Sequence, residues 1–118
     1  METIKYTDSW GDEMEIALYK STYETNGNLA LFAVANDDGD WEEYADVTVN
    51  VEPMLPGCAA LDTSNSFDLV TALVTRGDVK LLGNVQSGFC TYPVGMFADE
   101  FIGSVPTLDE FRKLAGIE

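Results

Sequence analysis

From Asp46 to Glu52 the chain alternates without a break: Val47, Val49 and Val51 are apolar, and Asp46, Thr48, Asn50 and Glu52 between them are polar. A period of two is the side-chain period of a β-strand, so the segment predicts a half-buried strand with its valines turned inward. The same alternation runs through Glu13 to Tyr19, with Met14, Ile16 and Leu18 on one face and Glu13 and Glu15 on the other. Leu29 to Val34 reads as a more fully buried strand. Between these runs, Asn26-Gly27-Asn28 and Asn36-Asp37-Asp38-Gly39-Asp40 supply residue types that tolerate positive φ and so favour hairpins. A short strand at Ile4 to Tyr6, linked through Asp8 to Asp12, completes the series. Residues 2–52 thus predict an antiparallel meander of about four strands with one wet face, the last running from near Trp41 to Val51.

Pro53-Met54-Leu55-Pro56-Gly57 interrupts this pattern without making a flexible linker. A short strand at Cys58 to Leu61 follows, and Asp62-Thr63-Ser64-Asn65-Ser66 offers N-caps for a helix on which Phe67, Val70, Leu73 and Val74 share a face. Gly77 is a natural stop for it. Val79 to Val85 predicts a strand, which Phe89 to Tyr92 continues or turns at Pro93; Met96 to Ile102 fits neither period. Thr107-Leu108-Asp109-Glu110 matches a capping box, and Arg112, Lys113 and Gly116 suit the end of the helix it opens. The expectation is one α+β domain over residues 1–118. Its antiparallel sheet holds the meander and one or two later strands, with two or three helices packed on one face. A chain of 118 residues can bury roughly two-thirds of its unfolded surface, so neither metal nor disulfide is needed to hold it.

Charge separates this chain from an ordinary soluble domain. It carries 21 Asp and Glu against 6 Lys and Arg, net −15, where small domains carry about 2–8. With 46% hydrophobic residues and 11% aromatics it is too apolar for a disordered acidic tail. The charge is also uneven: residues 1–52 hold 13 acids and two lysines, and residues 53–118 hold 8 acids and four basic residues. Such a surface repels nucleic acid and anionic membranes and attracts basic protein surfaces. The plainer reading is that acidity serves solubility. The first residues lack the basic start and apolar core of a signal peptide, and no run reaches the ~18 apolar residues of a membrane span. A cytoplasmic setting is expected, with Cys58 and Cys90 reduced and partly buried.

The chain has no histidine, which removes the commonest general base, the usual partner of a Ser or Cys nucleophile and the commonest metal ligand. Gly77, Gly83 and Gly88 fit neither dinucleotide nor phosphate-loop spacing. No cation lies near Cys90 in sequence to favour its thiolate. Asn36 to Asp40 is dense in oxygen ligands, but Gly39 comes too early for a calcium loop and its flanks read as strands, so a solvated hairpin turn is the better account. The expectation is a non-catalytic protein without cofactor or metal.

Binding is where the acids point. Alternate residues on one strand face lie ~6.6–6.8 Å apart, so carboxylates along a sheet edge offer charge on a rigid scaffold at a density comparable with DNA phosphates. Glu13 and Glu15 form one such pair; Asp38, Asp40 and Glu42 form a row if their strand starts early; Asp37, Glu43 and Asp46 extend the cluster. Trp41, Trp10 and Tyr44 sit within the acidic stretches, and each is either an interface anchor or a sheet-face core residue. The candidate partner-binding set is Glu13, Glu15, Asp37, Asp38, Asp40, Trp41, Glu42, Glu43 and Asp46. The expected partner is a basic protein surface that normally grips nucleic acid, matched by carboxylates. The rival is an accessory or scaffold module whose contacts run through the aromatic face.

At Asp46-Val47-Thr48-Val49-Asn50-Val51, Ala60-Leu61-Asp62-Thr63-Ser64-Asn65 and Ser87-Gly88-Phe89-Cys90-Thr91-Tyr92-Pro93 the chain resembles a family of small bacterial proteins described only as a domain of unknown function. That family is common on conjugative and phage-like elements of gut bacteria. The resemblance runs from about Asn28 to Phe97 and includes Asn26-Gly27-Asn28-Leu29-Ala30; the last motif is the most specific. It carries no catalytic residue. What it implies is a setting, since mobile elements keep small acidic proteins that disarm restriction or CRISPR nucleases. In structural terms the motifs predict a helix cap at Asp62 to Asn65 and a turn shaped by Gly88 and Pro93 that buries Phe89 and Cys90.

Overall fold

The computed structural model describes residues 2–117. Four strands, β1 (Ile4–Thr7), β2 (Glu13–Thr22), β3 (Leu29–Asp37) and β4 (Asp40–Asp46), pair in chain order as an antiparallel meander. A second four-stranded sheet holds β5 (Thr48–Val49), β6 (Cys58–Leu61), β7 (Val79–Ser87) and β8 (Cys90–Phe97) in the order β5-β6-β8-β7. Helices α1 (Thr63–Arg76), α2 (Asp99–Ser104) and α3 (Leu108–Ala115) complete the α+β fold.

Two sheets replace the single one expected, and the reason lies at Asp46 to Thr48. β4 ends at Asp46; Val47 donates its N–H to Leu31 of the first sheet and accepts from Asp62 at the second. Thr48, expected to face outward, is buried because its hydroxyl accepts from Leu31 N–H and meets the Tyr23 hydroxyl at 2.9 Å. The alternation that predicts one strand therefore passes unbroken through a change of sheet. One core spans the junction: Ile16, Leu18 and Leu31 from the first sheet, Val47 at the junction, Leu61, Val79 and Phe97 from the second, and Leu69, Val70 and Leu73 of α1.

α1 is capped by Asp62, whose carboxylate accepts from Asn65 N–H, and is closed by Gly77 in the left-handed conformation. Its buried stripe is Ser66, Leu69, Val70 and Leu73. Phe67 and Val74, expected on the core face, lie exposed beside it. The β7–β8 connection is a two-residue loop, Gly88-Phe89, with positive φ at its first position as a type II′ hairpin requires. The turn therefore does not bury Phe89 or Cys90; both are exposed, while Cys58 is buried and both thiols are free. Pro93 stands inside β8 opposite Asn84 alone, beyond the Val94–Met96 stretch that β6 pairs, where a missing N–H is tolerated.

α3 lies on the other face of the first sheet. Thr107 and Glu110 form the expected capping box, and Lys20 N–H donates to Pro106 just before it, on the part of β2 that β1 does not reach. Phe111 then packs against Ala17 and Val34, 5.8 Å edge-on from Trp41 and 5.9 Å from Tyr19. No helix among the described residues is long and apolar enough to cross a membrane.

Candidate protein-binding surface

Antiparallel order brings two turns to one end of the first sheet. β1 leaves and β2 enters through Asp8 to Asp12; β3 leaves and β4 enters through Asp38-Gly39. Asp8, Asp12, Glu13, Asp37, Asp38 and Asp40 therefore share that end. Asp37 and Asp40 are direct cross-strand partners, and Asp38 (φ 52°) and Gly39 (φ 92°) form a tight turn with both φ values positive, which Asp-Gly accepts at low cost. Asn36 holds it by accepting the Gly39 N–H at 2.9 Å.

The first turn is fixed more firmly. Asp8 Oδ1 accepts the N–H groups of Trp10 and Asp12, both at 2.9 Å. Asp68, from α1, accepts Ser9 N–H at 3.0 Å and Ser9 Oγ–H at 2.7 Å, and these bonds hold its carboxyl below the usual carboxylate range. Trp10 projects from this clamped turn, 89% exposed. Behind it, Tyr6 donates to the Tyr44 hydroxyl at 3.3 Å; burial, that bond and the charges of Asp68 and Asp8 push the Tyr6 phenol far up.

The remaining predicted residues divide between the faces of β4. Glu42 is opposite Ala35, on the core-facing side, while Glu43 is opposite Val34 and Asp46 opposite Phe32, on the α3 side. A bulge where Tyr44 is skipped puts Glu43 and Asp46 on one face although they are three apart. Asp38 belongs to the turn, so the row of Asp38, Asp40 and Glu42 shortens to Asp40 and Glu42. β4 is an outer strand, however, so carboxylates of both faces flank the same edge. Glu43 and Asp46 line an open groove of about 640 Å³ with Tyr19, Phe32, Asp62 and Asn65. Burial first, and then those two carboxylates, raise the Tyr19 phenol.

Two predicted residues are placed differently. Trp41 is half-buried beneath α3, spent on Phe111. Glu15 accepts from Asn36 Nδ2 at 2.6 Å and Thr3 Oγ at 3.4 Å and lies 3.6 Å from Lys5 Nζ. The Asn36 bond above all, helped by Lys5, holds its pKa down. Among the described residues the ion pairs are Lys5–Glu15 and Arg76–Asp78 (3.0 Å), so no lysine or arginine neutralises Asp37, Asp38, Asp40, Glu42, Glu43 or Asp46. Sequence reasoning placed Trp41 in the candidate set and left Trp10 and Asp68 out. The acids flanking Trp10 were visible, but only the tertiary contact from Ser9 shows that Asp68 joins them.

The model of the family described as a domain of unknown function (DUF4313) matches residues 17–112. The chain belongs to this family. The DUF4313 match reaches further at both ends than the Asn28–Phe97 stretch that carries the resemblance, taking in most of β2 and α3. It includes the Asp37–Asp40 turn and leaves β1 and the Trp10 turn outside. No curated protein and no solved structure matches the chain.

Proposed function

We propose that this protein is a non-catalytic acidic inhibitor that occupies the basic, nucleic-acid-gripping surface of an effector such as a nuclease or a CRISPR complex. The observation that carries this reading is the convergence of two acidic turns and the β4 edge on one end of a sheet, with no basic side chain among the described residues paired to the six β3–β4 carboxylates. A partner groove wide enough to admit a nucleic-acid strand meets carboxylates from both sides of such an edge. Lys and Arg that grip phosphates pair with carboxylates by the same charge-assisted bonds. The setting comes from the resemblance to mobile-element proteins, for which an anti-restriction or anti-CRISPR role is the natural use of such a surface.

The test is binding to a suspected effector across a salt series. Affinity should fall steeply as NaCl rises, and Asp37→Asn, Asp38→Asn and Asp40→Asn together should weaken it while leaving the fold intact. Affinity flat with ionic strength and indifferent to that triple change sinks the reading. One observation favours a second reading, an interaction module anchored by an aromatic: Trp10 stands exposed on a turn pinned by six hydrogen bonds. Under that reading Trp10→Ala weakens binding more than neutralising the acids does.

A further inference from the structure

Residues 81–98 form the longest stretch without a charged side chain in a chain of net −15. This stretch makes most of the β7–β8 hairpin, and at its tip Phe89 is 108% exposed. At its base, Leu81 and Pro93 border an open groove against α1, lined there by Phe67, Val70 and Val74 together with threonine and serine side chains. The groove has a volume of about 450 Å³ and no charged residue in its lining. Leu81, Phe67 and Val74 are exposed there. A fully exposed phenylalanine and a mainly apolar groove thus lie at the two ends of one hairpin without charged side chains.

We infer that this surface binds a second copy of the chain, with Phe89 of each copy seated in the α1–β7 groove of the other. Three features select that occupant. From Ser87 at the tip to Leu81 beside the groove is six residues, about 20 Å of strand. Two hairpins laid antiparallel about a two-fold axis near Gly83 to Val85 therefore bring each tip to the other's groove, and the contact closes as a dimer without propagating. Charge decides the approach. Two chains of −15 repel wherever acids face each other, and the hairpin is where they can meet without that cost. Finally, the β7 edge is guarded against strand addition by Lys80 and by the bulge at Leu82, which directs association to the faces of the hairpins. The acids proposed for effector binding take no part.

Sedimentation of the intact protein between about 10 μM and 1 mM, at about 20 and 300 mM NaCl, tests this. Dimer is expected to accumulate with concentration and to be favoured by salt, which screens the repulsion; effector binding through the acids has the opposite salt dependence. Phe89→Ser, at a fully exposed position that the fold does not use, should weaken association about a hundredfold, since two apolar side chains per dimer lose their seats. Phe67→Ser should weaken it from the groove side, and Asp37→Asn with Asp40→Asn should leave it intact. A monomer throughout the series overturns the inference, as does a dimer indifferent to Phe89→Ser.

Discussion

Gly95 occupies the middle of β8, paired with Ala59 of β6 on one side and Leu81 of β7 on the other. A Cβ built there would lie 2.6 Å from Val79 Cγ2 and 2.9 Å from Leu61 Cδ1. Carbon atoms prefer about 3.5–4.0 Å, so each contact is short by roughly 1 Å. Both neighbours are core residues, Val79 at 3% exposure and Leu61 at 0%, and strand pairing on both sides holds the Gly95 backbone in place. Overpacking of this kind costs about 1–3 kcal/mol, offset by a few tenths to about 1 kcal/mol for the lost freedom of glycine in the unfolded chain. Gly95→Ala should therefore destabilise by about 1–2 kcal/mol, a fall in Tm of about 4–10 °C for a domain of this size. Urea unfolding followed by circular dichroism measures it. Val79→Ala in the same chain should recover part of the loss, giving a favourable coupling energy. A Gly95→Ala protein as stable as the parent, or no coupling to Val79, would refute the packing argument.

Asn28 is buried and donates to Glu52 O and Asn50 Oδ1 while accepting Met54 N–H, so Asn28→Ala should cost about 2–3 kcal/mol in chemical denaturation by stranding those partners. Phe111→Ala should lower stability by about 3 kcal/mol and, in a Trp10→Phe background, shift Trp41 emission to the red as α3 loses its hold on the sheet. The Asp68 carboxyl titrates lower in the folded protein than its ordinary 3.8, so the stability it contributes is present above 3.8 and is lost as pH falls through the lower folded value. The stability gap between parent and Asp68→Asn should accordingly be open at neutral pH and close in acid; a gap that does not change with pH refutes the assignment. Changing Asp37 and Asp40 to Asn should raise Tm at low salt and do so less at high salt, because like charges stand directly opposite there.

Local chemistry announced much of this fold. Asp38-Gly39, Gly77, Gly116 and the Thr107–Glu110 box act within a few residues of themselves, and each sits where its own conformational preference puts it. What depended on distant partners was hidden. Thr48 reads as an outward residue until Leu31 and Tyr23 arrive to bond its hydroxyl. The order β5-β6-β8-β7 joins segments far apart in the chain, and no local period encodes it. Phe67 and Val74 share a helical face with Val70 and Leu73, but α1 is rolled so that Ser66 and Leu69 take the inner places, with Ser66 Oγ–H donating to Asp46 O. The candidate surface was legible in part for the same reason. The acids of the Asp37–Asp40 turn stand where their turn puts them, whereas Trp41 and Glu15 were claimed by α3 and Asn36, which only the folded sheet brings near.

The passage of the chain from one sheet to the other at Val47 has a practical meaning for anyone dividing this protein. Its amino-terminal 52 residues hold most of the net charge and suggest a detachable acidic peptide. Yet Leu31 and Val47 at 0% exposure rest on Leu61, Leu69 and Leu73, all supplied by later residues. Cut at Pro53 to Gly57, the meander loses the partners that keep its apolar side dry, and what remains is a sticky, highly charged ribbon instead of a miniature of the surface. The charge can be used only by carrying the less charged half along, so any graft, tag or truncation has to treat the chain as indivisible.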